Sequence, residues 1–149
     1  MNIKIVLSSL LVIVQELEAD ANKYLNSFDS ISAFSFESNE ETVKSHAKKY
    51  LAFSVCLSKH MVECEKLIAE LSKEIRITDQ ECETDKVLFL SQCFDDHMKF
   101  TETINYFVIK NDRIFNNKSN DFKVSLIIEN TRILLASILN YNNLLKEKI

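Results

Sequence analysis

Neither glycine nor proline occurs in the 149 residues, although each is a regular component of average proteins and together they supply most tight turns and helix stops. Their absence disfavours architectures built from many turns. Hairpin-rich sandwiches and barrels need positive φ at turn after turn, and nucleotide-binding α/β folds need glycine where the backbone meets phosphate. A phosphate-cradling loop and a G-x-S-x-G nucleophile elbow are excluded outright. No apolar run reaches the roughly 18 residues of a membrane span, because Lys4, Ser8 and Ser9 interrupt the longest stretch, Ile3 to Val14. A basic stripe for nucleic acid is missing too: the net charge is −4 and the lysines are dispersed.

What is present is helical periodicity. Ile3, Leu7, Leu10, Val14, Leu17, Ala21, Tyr24 and Phe28 alternate steps of four and three, the a/d pattern of a helix packed on other helices. It predicts a helix over residues 2–28. The period lapses in the serine-rich stretch from Asp29 to Ser38, and Ser38-Asn39-Glu40-Glu41 reads as a capping box opening a second helix. That helix continues through Val43, Ala47, Tyr50, Leu57, Met61, Cys64, Ile68, Leu71 and Ile75 to residue 76. A second capping pattern, Thr78-Asp79-Gln80-Glu81, places a hairpin turn near Ile77 and a third helix over residues 79–110; without the turn, one helix would run from 40 to 110. The asparagine-rich stretch Lys110 to Asp121 reads as a loop. Val124, Ile128, Leu135, Ile138 and Leu145 then mark a fourth helix over residues 121–147. The expectation is one all-α domain spanning residues 1–149, either a four-helix bundle or a pair of long antiparallel hairpins with coiled-coil-like seams.

Residues 1–21 admit a second reading. Lys4, the apolar run and Ala19-Asp20-Ala21 imitate a secretory signal, and secretion would make Asn117-Lys118-Ser119 a glycosylation sequon. Glu16, Glu18 and Asp20 are unusual around a cleavage site, and the a/d series passes through it unbroken. The helix reading accounts for both sides and is preferred.

For chemistry, the most specific constellation is His60 and Cys64 on the second helix with Cys93 and His97 on the third. Each pair is spaced by four and projects from one helical face, and a turn near residue 77 would set the pairs opposite each other. A Cys2His2 zinc site or a Cys64–Cys93 disulfide is then conceivable. No CxxC spacing occurs, Cys56 and Cys82 find no opposite cysteine, and buried cysteine ordinarily packs as a small hydrophobe. Core side chains are therefore the preferred reading, with reduced thiols and no metal or other cofactor. The residues three before His46, His60 and His97 are Val43, Leu57 and Phe94, so the Glu-x-x-His pairs of di-iron bundles are absent. Asp95-Asp96-His97 reads as a solvated face.

The expected function is non-enzymatic: a cytoplasmic helical interaction subunit (a scaffold, tether or assembly factor) whose partners are other helical proteins or a second copy. Leu57, Met61, Ile68 and Leu71 are the candidate interface residues, in a helix–helix seam inside the monomer or against a partner, with Lys59, Lys66 and Lys73 facing solvent. The alternatives are a secreted four-helix signalling ligand or effector lacking residues 1–21, and a helical regulator of cell death or immune signalling that binds an amphipathic peptide in a groove.

Overall fold

The computed structural model describes residues 2–28, 40–116 and 124–149. The expected loop from Asp29, the Ser38 end of the first capping box and the sequon serine at 119 lie outside them. Four helices make up the described chain: α1 (Ile3–Asn26), α2 (Glu40–Gln80), α3 (Thr84–Asn116) and α4 (Val124–Lys148). No strand is present among the described residues, so the all-α expectation holds and the four-helix bundle is the form it takes.

Helix α1 begins where the Asn2 side chain accepts the Lys4 amide hydrogen at 3.1 Å, satisfying one of the donors every helix start leaves open. It ends at Ser27, whose hydroxyl donates to the Tyr24 carbonyl at 2.6 Å. Between these caps Leu7, Leu10, Val14, Leu17, Ala21 and Tyr24 are buried, as their spacing predicts. The residues that imitate a signal sequence thus build the core helix.

Helix α2 is 41 residues long, about 60 Å at 1.5 Å per residue. It overruns the expected turn. Thr78 is not a cap: its side chain is fully buried, and the chain reverses over Glu81–Glu83 instead. There the Glu83 amide donates to the Thr78 carbonyl and the Cys82 amide to the Asp79 carbonyl, the pair of bonds that defines a Schellman stop. Cys82 occupies the left-handed position with φ 60°, where glycine is usual. The sequence has none to offer, which is why a turn hidden from composition exists here.

Helix α3 also exceeds its expected end, reaching Asn116 instead of residue 110. The polar stretch stays helical because its inward members are used. Asn111 is fully buried and accepts from Asn130 at 3.1 Å, while Ile114 and Phe115 pack against the core. In α4, Lys146 and Lys148 lie in the last turn, where they complement the negative end of the dipole.

Each helix packs on its neighbours in sequence, and α4 closes on α1; no diagonal pair packs. The result is a four-membered antiparallel ring. Tyr24 stacks on Phe53 at 4.7 Å, Phe53 meets Phe107 edge-on at 5.8 Å, and Tyr50 stacks on Phe115 at 5.0 Å, so one end of the core is aromatic. Toward the other end Leu7, Leu10, Leu71 and Leu90 are sealed from solvent. No described helix is long and apolar enough to cross a membrane.

Candidate functional site

The four candidate ligands do not converge. His60 turns toward α1, where its Nε2 lies 3.0 Å from Asp20 Oδ2 and its Nδ1 3.6 Å from Glu16 Oε2. The hairpin accounts for this. Because the turn sits at Glu81–Glu83, pairs such as Tyr50 with Asp112 and Glu74 with Lys86 set the register a few positions further along than a turn at Ile77 would. His60 is thereby carried to the flank of α2 that faces α1.

Cys64, Cys93 and His97 do enter the core. His97 Nδ1 lies 2.9 Å from the Tyr141 hydroxyl, and Tyr141 stacks on Phe100 at 4.5 Å. Burial drives the His97 pKa down to about 4, so the ring is neutral near pH 7. Burial likewise pushes the Cys64 thiol up to about 12, with Glu63 and Glu65 adding to it. Cys93 is raised by burial, against a lowering by Lys148. A protonated, sealed thiol is neither a nucleophile nor a ready metal ligand, since both roles need the thiolate. Neither cysteine is in a disulfide. No group of three or more His, Cys, Asp or Glu able to hold a metal occurs among the described residues.

Asp95, Asp96 and His97 separate as adjacent helical residues must. While His97 turns inward, Asp96 pairs with Lys148 at the end of α4 and accepts from Gln92 at 2.8 Å. Burial works to raise the Asp96 carboxyl, but the hydrogen bonds from Lys148 and Gln92 outweigh it and its pKa is lowered. Two further polar ties escaped the sequence reading: Asn142 donates to Glu18 at 2.9 Å, and Tyr50 donates to Asp112 at 2.9 Å. Each joins neighbouring helices through residues far apart in the chain, a relation no local spacing reveals. These groups fix which helix faces which.

The expected interface residues are also accounted for. Leu57, Ile68 and Leu71 are buried, and Met61 packs half-buried against them. Their seam is therefore inside the bundle. As contacts for a separate partner they are corrected: α1 and α3 already cover that face of α2. Lys59, Lys66 and Lys73 face solvent as expected.

Surface positions carry a different apolar set. Ile5 and Val12 on α1, Val55 and Val62 on α2, and Leu126 and Ile133 on α4 are exposed, each pair seven residues apart. A seven-residue step returns nearly to the same side of a helix, so three of the four helices present an apolar file outward. A cleft of about 230 Å³ lies between the end of α1 and the start of α2, lined by residues including Lys23, Tyr24, Lys49, Ala52 and Cys56. No protein-family model matches the chain, and no curated protein or solved structure does either.

Proposed function

We propose that this protein is a non-enzymatic helical interaction subunit that binds other proteins along the outer faces of its bundle. The observation that carries the reading is the seven-residue spacing of exposed apolar side chains on α1, α2 and α4. Isolated surface hydrophobes are ordinary. Repeated heptad spacing outside a core that is already filled is the pattern by which helices select helical partners.

The interior supports the same reading. The titratable groups in the core are tied to neighbouring helices or held protonated by burial; His97 is tied to Tyr141 and Glu18 to Asn142. Their role in this reading is to specify helix order. The burial of Leu7, Leu10, Val14 and Leu17 favours a working protein that keeps residues 2–21, and we place it in the cytoplasm with its thiols reduced.

The test is a set of single photo-crosslinking residues at Val12, Val62 and Ile133, introduced into the chain in its native cells. The reading expects a discrete adduct with a defined protein from at least one of these positions, and none from a crosslinker at Gln15 or Glu129, which are exposed and polar. Adducts equally distributed over all five positions, or absent from all, would overturn it.

A further inference from the structure

The chain reverses between α2 and α3 within three exposed residues, Glu81, Cys82 and Glu83. Their chemistry does not require it. From Thr78 to Thr84 there is neither glycine nor proline, so every residue has an amide hydrogen and can take helical backbone angles. The reversal instead holds Cys82 at φ 60°, a left-handed conformation that crowds any residue with a β-carbon. Two amides mark the choice: Cys82 donates to the Asp79 carbonyl at 3.1 Å and Glu83 to the Thr78 carbonyl at 3.4 Å. In a straight helix they would donate to Thr78 and Asp79 respectively, with no hydrogen bond lost.

The surfaces on either side of this hinge already fit each other. Because α2 packs on α3 and α4 on α1, with no diagonal pair packed among the described residues, the hairpins α1–α2 and α3–α4 meet along two seams. Tyr50 with Asp112 and Glu74 with Lys86 set the register of one seam, and Glu18 with Asn142 ties the other. Both α2–α3 pairs are centred on the hinge. Two copies related by a two-fold axis through it would therefore rebuild the same pairs between chains.

We infer that this hinge opens to exchange halves between two copies of the chain. In the dimer Glu40 to Asn116 forms one helix, about 115 Å long at 1.5 Å per residue, and the α1–α2 hairpin of each copy packs on the α3–α4 hairpin of the other. Every seam of the monomer is kept. Exchange is a low-cost route to a dimer because the contacts are ones the chain already makes, and crowding in a short hinge favours it. It stands apart from the outer-face reading, since those apolar files stay outward.

Charge holds the hinge shut. Asp79, Glu81, Glu83 and Asp85 are all exposed around it, and on a straight helix Asp79 meets Glu83 and Glu81 meets Asp85 four residues on, a spacing at which like charges repel. The two-fold axis would bring the same carboxylates of the second copy alongside. From Arg76 to Lys86 these four acidic residues face two basic ones, so the repulsion is only partly offset. Dilute chain at low salt stays closed; salt, which screens exposed charge, and high chain concentration open it.

The test uses the full chain. Refolding from urea at about 1 mM chain and about 0.5 M salt, where exposed charges are screened, should give a dimer by sedimentation, and refolding at about 10 µM in low salt a monomer. Cys82→Gly closes the turn without crowding and weakens the straight helix, and since each dimer contains two hinges its association should fall about a hundredfold. Cys82→Ala with Glu81→Gln and Glu83→Gln keeps the crowding, removes the repulsion and should strengthen association about tenfold. Exchange itself is read by a short bismaleimide in a chain carrying Cys56→Ser and Cys82→Ala, which remove the exposed thiols, with Glu74→Cys and Lys86→Cys across the α2–α3 seam. Within one straight helix those two positions lie about 18 Å apart, beyond the reagent. An exchanged dimer is therefore bridged between chains and runs at double mass on a denaturing gel, whereas a monomer, or a dimer joined by outer faces, is bridged within each chain. Circular dichroism should show parent helicity in every variant. A parent chain that stays monomeric at high concentration and salt overturns the exchange, as does a dimer bridged only within single chains. Equal association of parent and Cys82→Gly would show that the hinge does not open.

Discussion

On the inward side of α2, Leu57, Cys64 and Leu71 follow one another at seven-residue steps and are sealed from solvent, at 2%, 0% and 0% exposure. On the outward side Val55, Val62 and Ala69 keep the same step, and Val55 and Val62 are 61% and 51% exposed. The two series are offset by two residues, roughly 200° around the helix, so one helix carries one spacing on opposite sides. The inward series is bordered by side chains that fit between α1 and α3. The outward one is bordered by exposed charged residues, Lys59, Glu65, Lys66 and Lys73, which cannot be buried without partners. Apolar spacing alone therefore does not say which line builds the monomer. The charge of the flanking residues does.

The strongest way to break this contrast is to truncate one member of the inward series. Leu71→Ala should cost about 2–5 kcal/mol, the usual range for a buried leucine that leaves a cavity, and should lower the thermal midpoint with little change in helicity at low temperature. A midpoint equal to that of the parent would mean that α2 is not packed as described.

Acid should act on the inward side next. His97 has a folded pKa of about 4 against an ordinary 6.5, so the unfolded chain binds the proton first. Its neutral form favours folding fully above pH 6.5, and that contribution is lost progressively as pH falls from 6.5 toward 4. The full shift corresponds to about 3–4 kcal/mol. His46, whose pKa burial also lowers, with Lys49 adding to it, acts in the same direction. Melting temperature against pH should therefore fall in this window, and His97→Gln should flatten the slope there. Asp96 destabilises only at still lower pH, as its own lowered carboxyl protonates. An unchanged slope in His97→Gln would place that ring in a wetter setting than the core.

A smaller effect belongs to the turn that brings the two series to rest. Cys82→Gly relieves about 1–2 kcal/mol of left-handed backbone crowding and gives back about 0.4–1 kcal/mol through a looser unfolded chain. The net gain should be roughly 0.5–1 kcal/mol by chemical denaturation, and a loss would show that the cysteine side chain matters there. The smallest effects lie outside. Lys73→Ala and Val62→Ala should each stay within about 0.5 kcal/mol of the parent, and a cost comparable to that of Leu71→Ala would erase the distinction between the two sides.

Much of this was legible in the sequence. The four-three series from Ile3 to Tyr24 and from Tyr50 to Leu71 named the core residues because burial must follow the helical period. Helix ends were harder. Thr78-Asp79-Gln80-Glu81 has the letters of a cap, but the Thr78 side chain is inside, and the stop is made by backbone geometry at Cys82 that no residue type announces. The α3 end lies beyond the expected residue 110 because Asn111, polar enough for a loop, is buried against Asn130. The ligand quartet failed for a related reason. His60 and Cys64 share a side of α2, yet that side straddles two neighbours, and Asp20, forty residues earlier, takes the histidine. The outward file was visible from the start in the expectation that Lys59, Lys66 and Lys73 face solvent. Its apolar line of Val55, Val62 and Ala69 gives a weaker periodic signal than the larger side chains of the inward series.

The closure of α4 on α1 brings the two outermost helix ends side by side: Asn2, Ile3 and Lys148 border one shallow depression. A pulling force applied through the chain ends would peel α1 from α4 row by row, as a zipper opens, and would not shear all rows together. Load carried between two partners would have to enter and leave through the lateral faces of the bundle, where the rows resist in parallel. If this protein holds other proteins against tension, it is as a strut gripped along its sides, and not as a rope tied at its ends.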